Sequence, residues 1–146
     1  MITIRRVTPA DKPEWLRMRL ALWPEGSPEE WSDDMDRMMA DPATPVFVAV
    51  RANGTLGGFL EAGTRPYADG CDSSPVGYIE GWYVAPDLRR QGVGGQLVRA
   101  AEDWARSLGL SEMASDTWLD NETSLRAHTA LGYEEAERLI HFAKKL

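Results

Sequence analysis

Residues Gly77 to Leu108 read G-Y-I-E-G-W-Y-V-A-P-D-L-R-R-Q-G-V-G-G-Q-L-V-R-A-A-E-D-W-A-R-S-L, and this stretch decides the fold. Tyr78 to Val84 is rich in aromatic and β-branched residues, which suit a half-buried pleated surface. Pro86 has no backbone donor, so Ala85-Pro86-Asp87 ends that strand. Apolar residues then recur at Val93, Leu97, Ala100, Ala101, Trp104, Ala105 and Leu108, with Gln96, Arg99, Glu102, Asp103 and Arg106 between them. That spacing is one face of an α-helix, which Gly109 closes. Between strand and helix lies Arg89-Arg90-Gln91-Gly92-Val93-Gly94-Gly95. Glycines in the first turn of a helix leave N–H groups pointing outward at the positive end of the dipole. Two arginines add charge beside them. The turn reads as an anion cradle, and a pyrophosphate is its natural guest.

The flanks extend this unit. Ile2 to Val7 reads as a first strand, and Thr8-Pro9 opens a helix that runs through Trp15, Leu16, Leu20 and Leu22 and stops near Trp23-Pro24. Ser27 and Glu30 form a capping box before a helix carrying Trp31, Met35, Met38 and Met39, closed by Asp41-Pro42. Val46 to Arg51 and Thr55 to Glu61 flank Asn53-Gly54, a two-residue hairpin signal. A polar loop is expected from Gly63 to Pro75, a fifth strand from Glu112 to Trp118, and a helix from Asn121 to Leu131 ended by Gly132. Glu134 to Lys145 reads as one or two final strands, with Ala136, Leu139 and Phe142 among the buried candidates. The order is β-α-α-β-β-β-α-β-α-β. A strand–helix–strand crossover over 78–118 implies parallel pairing there, and the hairpin implies antiparallel pairing elsewhere. The expected class is α/β (α+β), a single domain over 1–146 with a mixed central sheet flanked by helices on both faces.

Composition sets bounds. The chain has 146 residues, enough for one core, with 43% hydrophobic and 27% charged residues. It has no apolar run of membrane-spanning length. Net charge is −7, from 23 acidic and 16 basic residues. That excludes a general nucleic-acid binder and permits a cationic substrate. Cys71 is the only cysteine, so no internal disulfide can form, and Met1 to Val7 lacks the layout of a secretory leader. A cytoplasmic location is the expectation. His128 and His141 are the only histidines and no metal-ligand cluster is present, so no metal is expected.

Strict strand alternation places Tyr78, Glu80, Trp82 and Val84 on one face and Ile79, Gly81 and Tyr83 on the other. Glu112, Ala114, Asp116 and Trp118 share a face of the next strand. Ligands of open α/β sheets bind beyond the carboxyl ends of parallel strands, so Glu80 and Asp116 are candidates to face one cleft. A charged residue inside an aromatic strand is costly unless paired or used.

The signature R/Q-x-x-G-x-G/A, filled by Arg89, Gly92 and Gly94 between a strand and a helix, resembles that of the GNAT acyltransferase superfamily. Further segments cover nearly the whole chain: W-P at 23, Y-x-x-G-C-D-S-S-P at 67–75, E-G-W-Y-V-A-P at 80–86, E-M-A-S-D-T at 112–117 and A-L-G-Y at 130–133. Together they resemble the aminoglycoside 6′-N-acetyltransferases. The resemblance implies a GNAT fold, acetyl-CoA as cosubstrate, a cationic aminoglycoside as acceptor, a role in antibiotic resistance, and a homodimer. It implies that Arg89, Arg90, Gln91, Gly92, Val93, Gly94 and Gly95 hold the coenzyme pyrophosphate. Trp82 and Val84 would meet its acyl end through their backbone, and Asn121 its pantetheine arm. Asp116 would be the general base and Glu80 its cation-binding partner, with Trp23, Tyr67 and Glu137 lining the sugar pocket. Such chemistry needs a carboxylate to take the ammonium proton and an N–H donor for the developing oxyanion, and direct attack on a thioester needs no covalent enzyme intermediate. Many GNAT enzymes carry a tyrosine at the position of His128. Two other readings stay open: a GNAT enzyme for another small amine, such as a polyamine or amino sugar, and a non-catalytic coenzyme A-binding module, which would not need Glu80 and Asp116.

Overall fold

The computed structural model describes all of residues 1–146. Its elements are β1 (Thr3–Arg6), α1 (Lys12–Leu22), α2 (Pro28–Ala40), β2 (Val46–Val50), β3 (Leu56–Arg65), β4 (Val76–Val84), α3 (Val93–Ser107), β5 (Met113–Ser115) and α4 (Glu122–Ala130). Short 3₁₀ turns at Pro9–Asp11 and Pro86–Leu88 lead into α1 and toward α3. One sheet runs in the order β1-β2-β3-β4-β5. Its first three pairings are antiparallel and β4–β5 is parallel, as the hairpin and the crossover require.

The sheet buries both faces. Against α3 lie Phe47, Ala49, Leu60, Ala62 and Ile79, packed on Val93, Leu97, Val98, Ala101 and Trp104. Against α1 and α2 lie Val46, Val48, Leu56 and Phe59, packed on Trp15, Met18 and Met35. The helical spacing of these residues is why α3 and α2 fold as amphipathic helices. Caps set their ends: the Ser27 hydroxyl accepts from the Glu30 N–H at 3.4 Å, and Asn121 Oδ1 accepts from the Ser124 N–H at 3.0 Å. One ion pair is buried in the second layer. Arg19 donates to both Glu61 oxygens at 2.6 Å, and Trp15 Nε1 donates to the same carboxylate at 2.9 Å. The Arg19 guanidinium also lies 5.0–5.6 Å from the rings of Trp15, Trp23 and Trp31.

Four expectations are corrected. The loop begins at residue 66, because Gly63, Thr64 and Arg65 pair with Tyr78, Gly77 and Val76 and extend β3. The fifth strand shrinks to Met113–Ser115, because only Gly77, Tyr78 and Ile79 of β4 offer it partners. The final strands are absent: Glu134 to Leu146 runs beside the fold without a ladder, and Leu139, Ile140 and Phe142 face solvent. Ala136 is likewise exposed.

The fourth correction concerns β4. Glu61 pairs with Gly81 and Ala62 with Ile79, so Glu80 is an extra residue in the ladder, a β-bulge. Alternation restarts after it. Ile79, Trp82 and Val84 all pack toward α3, while Gly81 and Tyr83 lie on the α1/α2 side. Tyr78 shares that second side, because it lies opposite Gly63, two residues along β3 from Glu61. Glu80 belongs to neither core and is exposed.

Candidate active site

Two half-sites meet where β4 and β5 part. Their pairing ends at Ile79–Ser115, and β4 continues to Val84 with no partner on that edge. Beyond Ile79 the outward-facing N–H groups of β4 meet no strand, while the Val84 carbonyl is taken by a side chain of the following turn.

The first half-site is the turn into α3. Arg90 has φ 62 and Gly92 has φ 80, so the chain passes twice through left-handed geometry before the helix starts. No backbone N–H from Arg90 to Gly95 has an acceptor; the first one paired is that of Gln96, to the Gly92 carbonyl at 3.1 Å. Side chains brace the turn rather than fill it. Arg89 Nε donates to the Val84 carbonyl at 2.9 Å, and Gln91 Nε2 donates to the Asp87 carbonyl at 2.9 Å. Trp82 lies beneath, and a Cβ on Gly94 would sit 3.1 Å from its ring. The Trp82 Nε1 is buried without a partner. Successive free N–H groups at a helix start fit a pyrophosphate, and glycine keeps the approach open. Asn121 spends its side-chain oxygen on the α4 cap, which leaves its amide NH₂ for any ligand.

The second half-site lies on the α1/α2 face. Asp116 follows β5 directly and accepts from the Tyr78 hydroxyl at 2.5 Å. Burial and Asp116 push the Tyr78 phenol well above its ordinary value, so it stays a proton donor. Arg65 stacks on the Tyr78 ring at 3.6 Å and donates to both Glu80 oxygens, at 3.0 and 2.7 Å. Glu80 and Asp116 are thus joined through two residues, Arg65 and Tyr78, that the sequence reading left out. Alternation already sets Tyr78 on the expected face of Glu80, whereas Arg65 falls inside the expected 63–75 loop and reaches the Tyr78 ring only because β3 extends to pair with Val76.

Trp23 packs edge-on to Trp31 and Phe59, next to Glu80's neighbour Gly81, where a Cβ would come within 2.6 Å of the Trp23 ring. Leu22, Trp23, Pro24, Glu25 and Trp118 line an open groove there. Tyr67 is exposed and donates to Asp69 at 2.8 Å; Asp69, and more weakly Glu137, push its phenol up. Tyr67 and Glu137 therefore sit on an outer rim, where the 66–75 loop meets the C-terminal segment. Glu112 anchors that loop. It accepts from the Asp72 N–H, the Ser73 N–H and the Ser73 hydroxyl at 2.6–2.8 Å, which hold its carboxyl below the usual range. This accounts for the Cys71-Asp72-Ser73 and Glu112 segments occurring together.

His128 lies on the opposite side of the sheet. Its Nδ1 is 2.7 Å from the Ser124 carbonyl, and its Nε2 is 2.8 Å from Ser115 Oγ. Its ring meets Trp82 edge-on at 5.1 Å.

A five-stranded sheet that parts beside a free helix start, with carboxylates across the gap, is the frame of an acyl-group transferase. The match to the acetyltransferase (GNAT) family over residues 12–133 is accordingly extensive, and the chain belongs to that family. Among relatives, it is 45% identical to aminoglycoside N(6′)-acetyltransferase type 1 of Klebsiella aerogenes, over 98% of this chain and 96% of that one. It is 41% identical to the enzyme of the same name from Stenotrophomonas maltophilia, over 99% and 94%. Among solved structures, it superposes with a TM-score of 0.94 on AAC(6′)-Iy in complex with the bisubstrate analog CoA-S-monomethyl-acetylneamine, at 37% identity, covering 100% of this chain and 99% of that one.

Proposed function

We propose that this chain transfers the acetyl group of acetyl-CoA to the 6′-amine of aminoglycosides. One observation carries the reading: two carboxylates, tied into one cluster, stand across the β4–β5 gap from an unpaired run of backbone donors. The extent of the likeness to aminoglycoside N(6′)-acetyltransferases supports the choice of acceptor. Acetyl-CoA, when bound, supplies an activated thioester. The donors from Gln91 to Gly95 hold its pyrophosphate, with Arg89 and Arg90 adding charge and the Asn121 amide serving the pantetheine arm. Asp116 accepts the proton of the arriving ammonium, and Tyr78 keeps the carboxylate aimed. Glu80 holds the cation. The free β4 edge at Trp82 and Val84 presents backbone groups to the acyl oxygen. Trp23, Tyr67 and Glu137 bound the sugar.

The site serves resistance to these antibiotics in the cytoplasm, where acetyl-CoA is made. The exposed, unpaired tail supports a homodimer, since apolar side chains such as Phe142 gain from a second surface. The deciding measurement is thiol release from acetyl-CoA with neamine, paromamine (its 6′-hydroxyl counterpart) and spermidine. Turnover with neamine alone is expected. Turnover of spermidine without neamine overturns the acceptor, and coenzyme binding without any amine-dependent release overturns the enzyme. Asp116→Asn should lower kcat by about 10²–10⁴-fold, the usual span for a lost general base, with coenzyme affinity unchanged.

A further inference from the structure

The amine site already contains a cation. Arg65 occupies both oxygens of Glu80, with Nε at 3.0 Å and Nη2 at 2.7 Å, and lies flat on the ring whose hydroxyl holds Asp116. Its hydrogen bonds to Glu80, and after them the charges of Glu80 and Asp116, raise Arg65 above its ordinary value. Fold stability does not explain the placement: both partners of the ion pair are about two-fifths exposed, and such pairs contribute little. A polycation entering this site meets a guanidinium where an acidic pocket would bind it more tightly.

We propose that Arg65 is a positioning residue that sets the charge of the amine site, sacrificing affinity for the ammonium to gain its deprotonation. Two carboxylates alone would hold the substrate as the cation and oppose loss of its proton. Arg65 offsets one of them, so the ammonium is bound less tightly and gives its proton to Asp116 more readily. The planar guanidinium, bidentate on one side and stacked on the other, also fixes Glu80 against the Tyr78–Asp116 pair. Interactions that stabilise the bound ammonium more than the transition state lower KM without raising kcat, and Arg65 removes such an interaction.

This inference rests on the assignment of Glu80 and Asp116 as the amine site. The test pairs neamine affinity, measured calorimetrically with coenzyme A present, with steady-state acetylation of neamine by wild type, Arg65→Gln and Arg65→Lys. For Arg65→Gln the dissociation constant should fall several-fold and kcat should fall about tenfold, the size expected for one charge a few ångströms from the reacting nitrogen. Arg65→Lys keeps the charge and should keep wild-type affinity, with kcat between the two. Thermal melting reports whether each variant is folded. Unchanged or weaker neamine binding by folded Arg65→Gln overturns the proposal, as does identical behaviour of the Gln and Lys variants. Wild type that neither binds nor acetylates neamine overturns the site assignment and this inference together. Wild type that does both, with Arg65→Gln indistinguishable from it, overturns only the inference.

Discussion

Residues whose charge is buried carry their meaning in their partners. Arg19 and Glu61 are 7% and 2% exposed, and both carboxylate oxygens accept from Arg19, one of them from Trp15 Nε1 as well. Arg19→Met would leave the Glu61 carboxylate in the α1/α2 core with the indole alone. The expected cost is about 3–5 kcal/mol of unfolding free energy, read from urea denaturation. Replacing both residues by apolar ones should cost far less, because the stranded charge is the penalty. At the candidate site the sequence was informative about Glu80, Asp116 and the glycines, since a charge among aromatics and a Gly-rich turn stand out in a string. Arg65 did not stand out. Its role depends on a stacking contact with Tyr78 made across the β3–β4 ladder, and no spacing rule announces such a contact.

Elements were legible in proportion to how local their causes are. The Ser27 cap and the α3 stripe are written in neighbouring residues and appear where the chain signals them; the hairpin turns at Asn53-Gly54 too, but as a longer loop in which Gly54 N–H donates to the Arg51 carbonyl and only Gly54 takes a positive φ. The short β5, the extended β3 and the bulge depend on which partner strand is present, so period-two patterning missed them. Two elements invite measurement. In the cradle, Gly94→Ala sets a methyl about 3.1 Å from the Trp82 ring, tighter than ordinary contact. Coenzyme A affinity should drop at least several-fold by calorimetry, while neamine binding to the coenzyme-free chain changes little. In the 66–75 loop, the Glu112 carboxyl is held low by Ser73 and Asp72, so its folded value lies below its unfolded one. Its support for the loop is then complete above the unfolded value of about 4.3 and is lost as pH falls through the folded value. Amide exchange at Asp72 and Ser73 should accelerate selectively in that acid window. Glu112→Gln should show the faster exchange already at neutral pH.

Across the whole molecule, the tail and the sheet make one demand. Residues 134–146 were expected to be strands and carry strand-like apolar residues, yet the chain holds no ladder for them. The proposed homodimer would give that segment a surface. Sedimentation at micromolar concentration should show a dimer, and truncation after Tyr133 should yield monomer with an altered aminoglycoside KM, because Glu137 and the rim beside Tyr67 leave with the tail. A full-length monomer would remove the dimer from the reading and leave the transfer chemistry standing.

The bulge at Glu80 also bears on how such a chain tolerates changes in length. Excising Glu80 alone would restore regular alternation, with Tyr78 and Gly81 still toward α1 and α2, and Ile79 and Trp82 still toward α3. Excising Ile79 instead would turn a carboxylate into the α3 core, and excising Gly81 would press one against the Trp23 ring. Strand β4 is thus a regular strand of eight residues with a ninth inserted. In a scan of single-codon deletions through this strand, position 80 is the one whose loss should leave a folded protein, stripped of the carboxylate proposed to bind the amine.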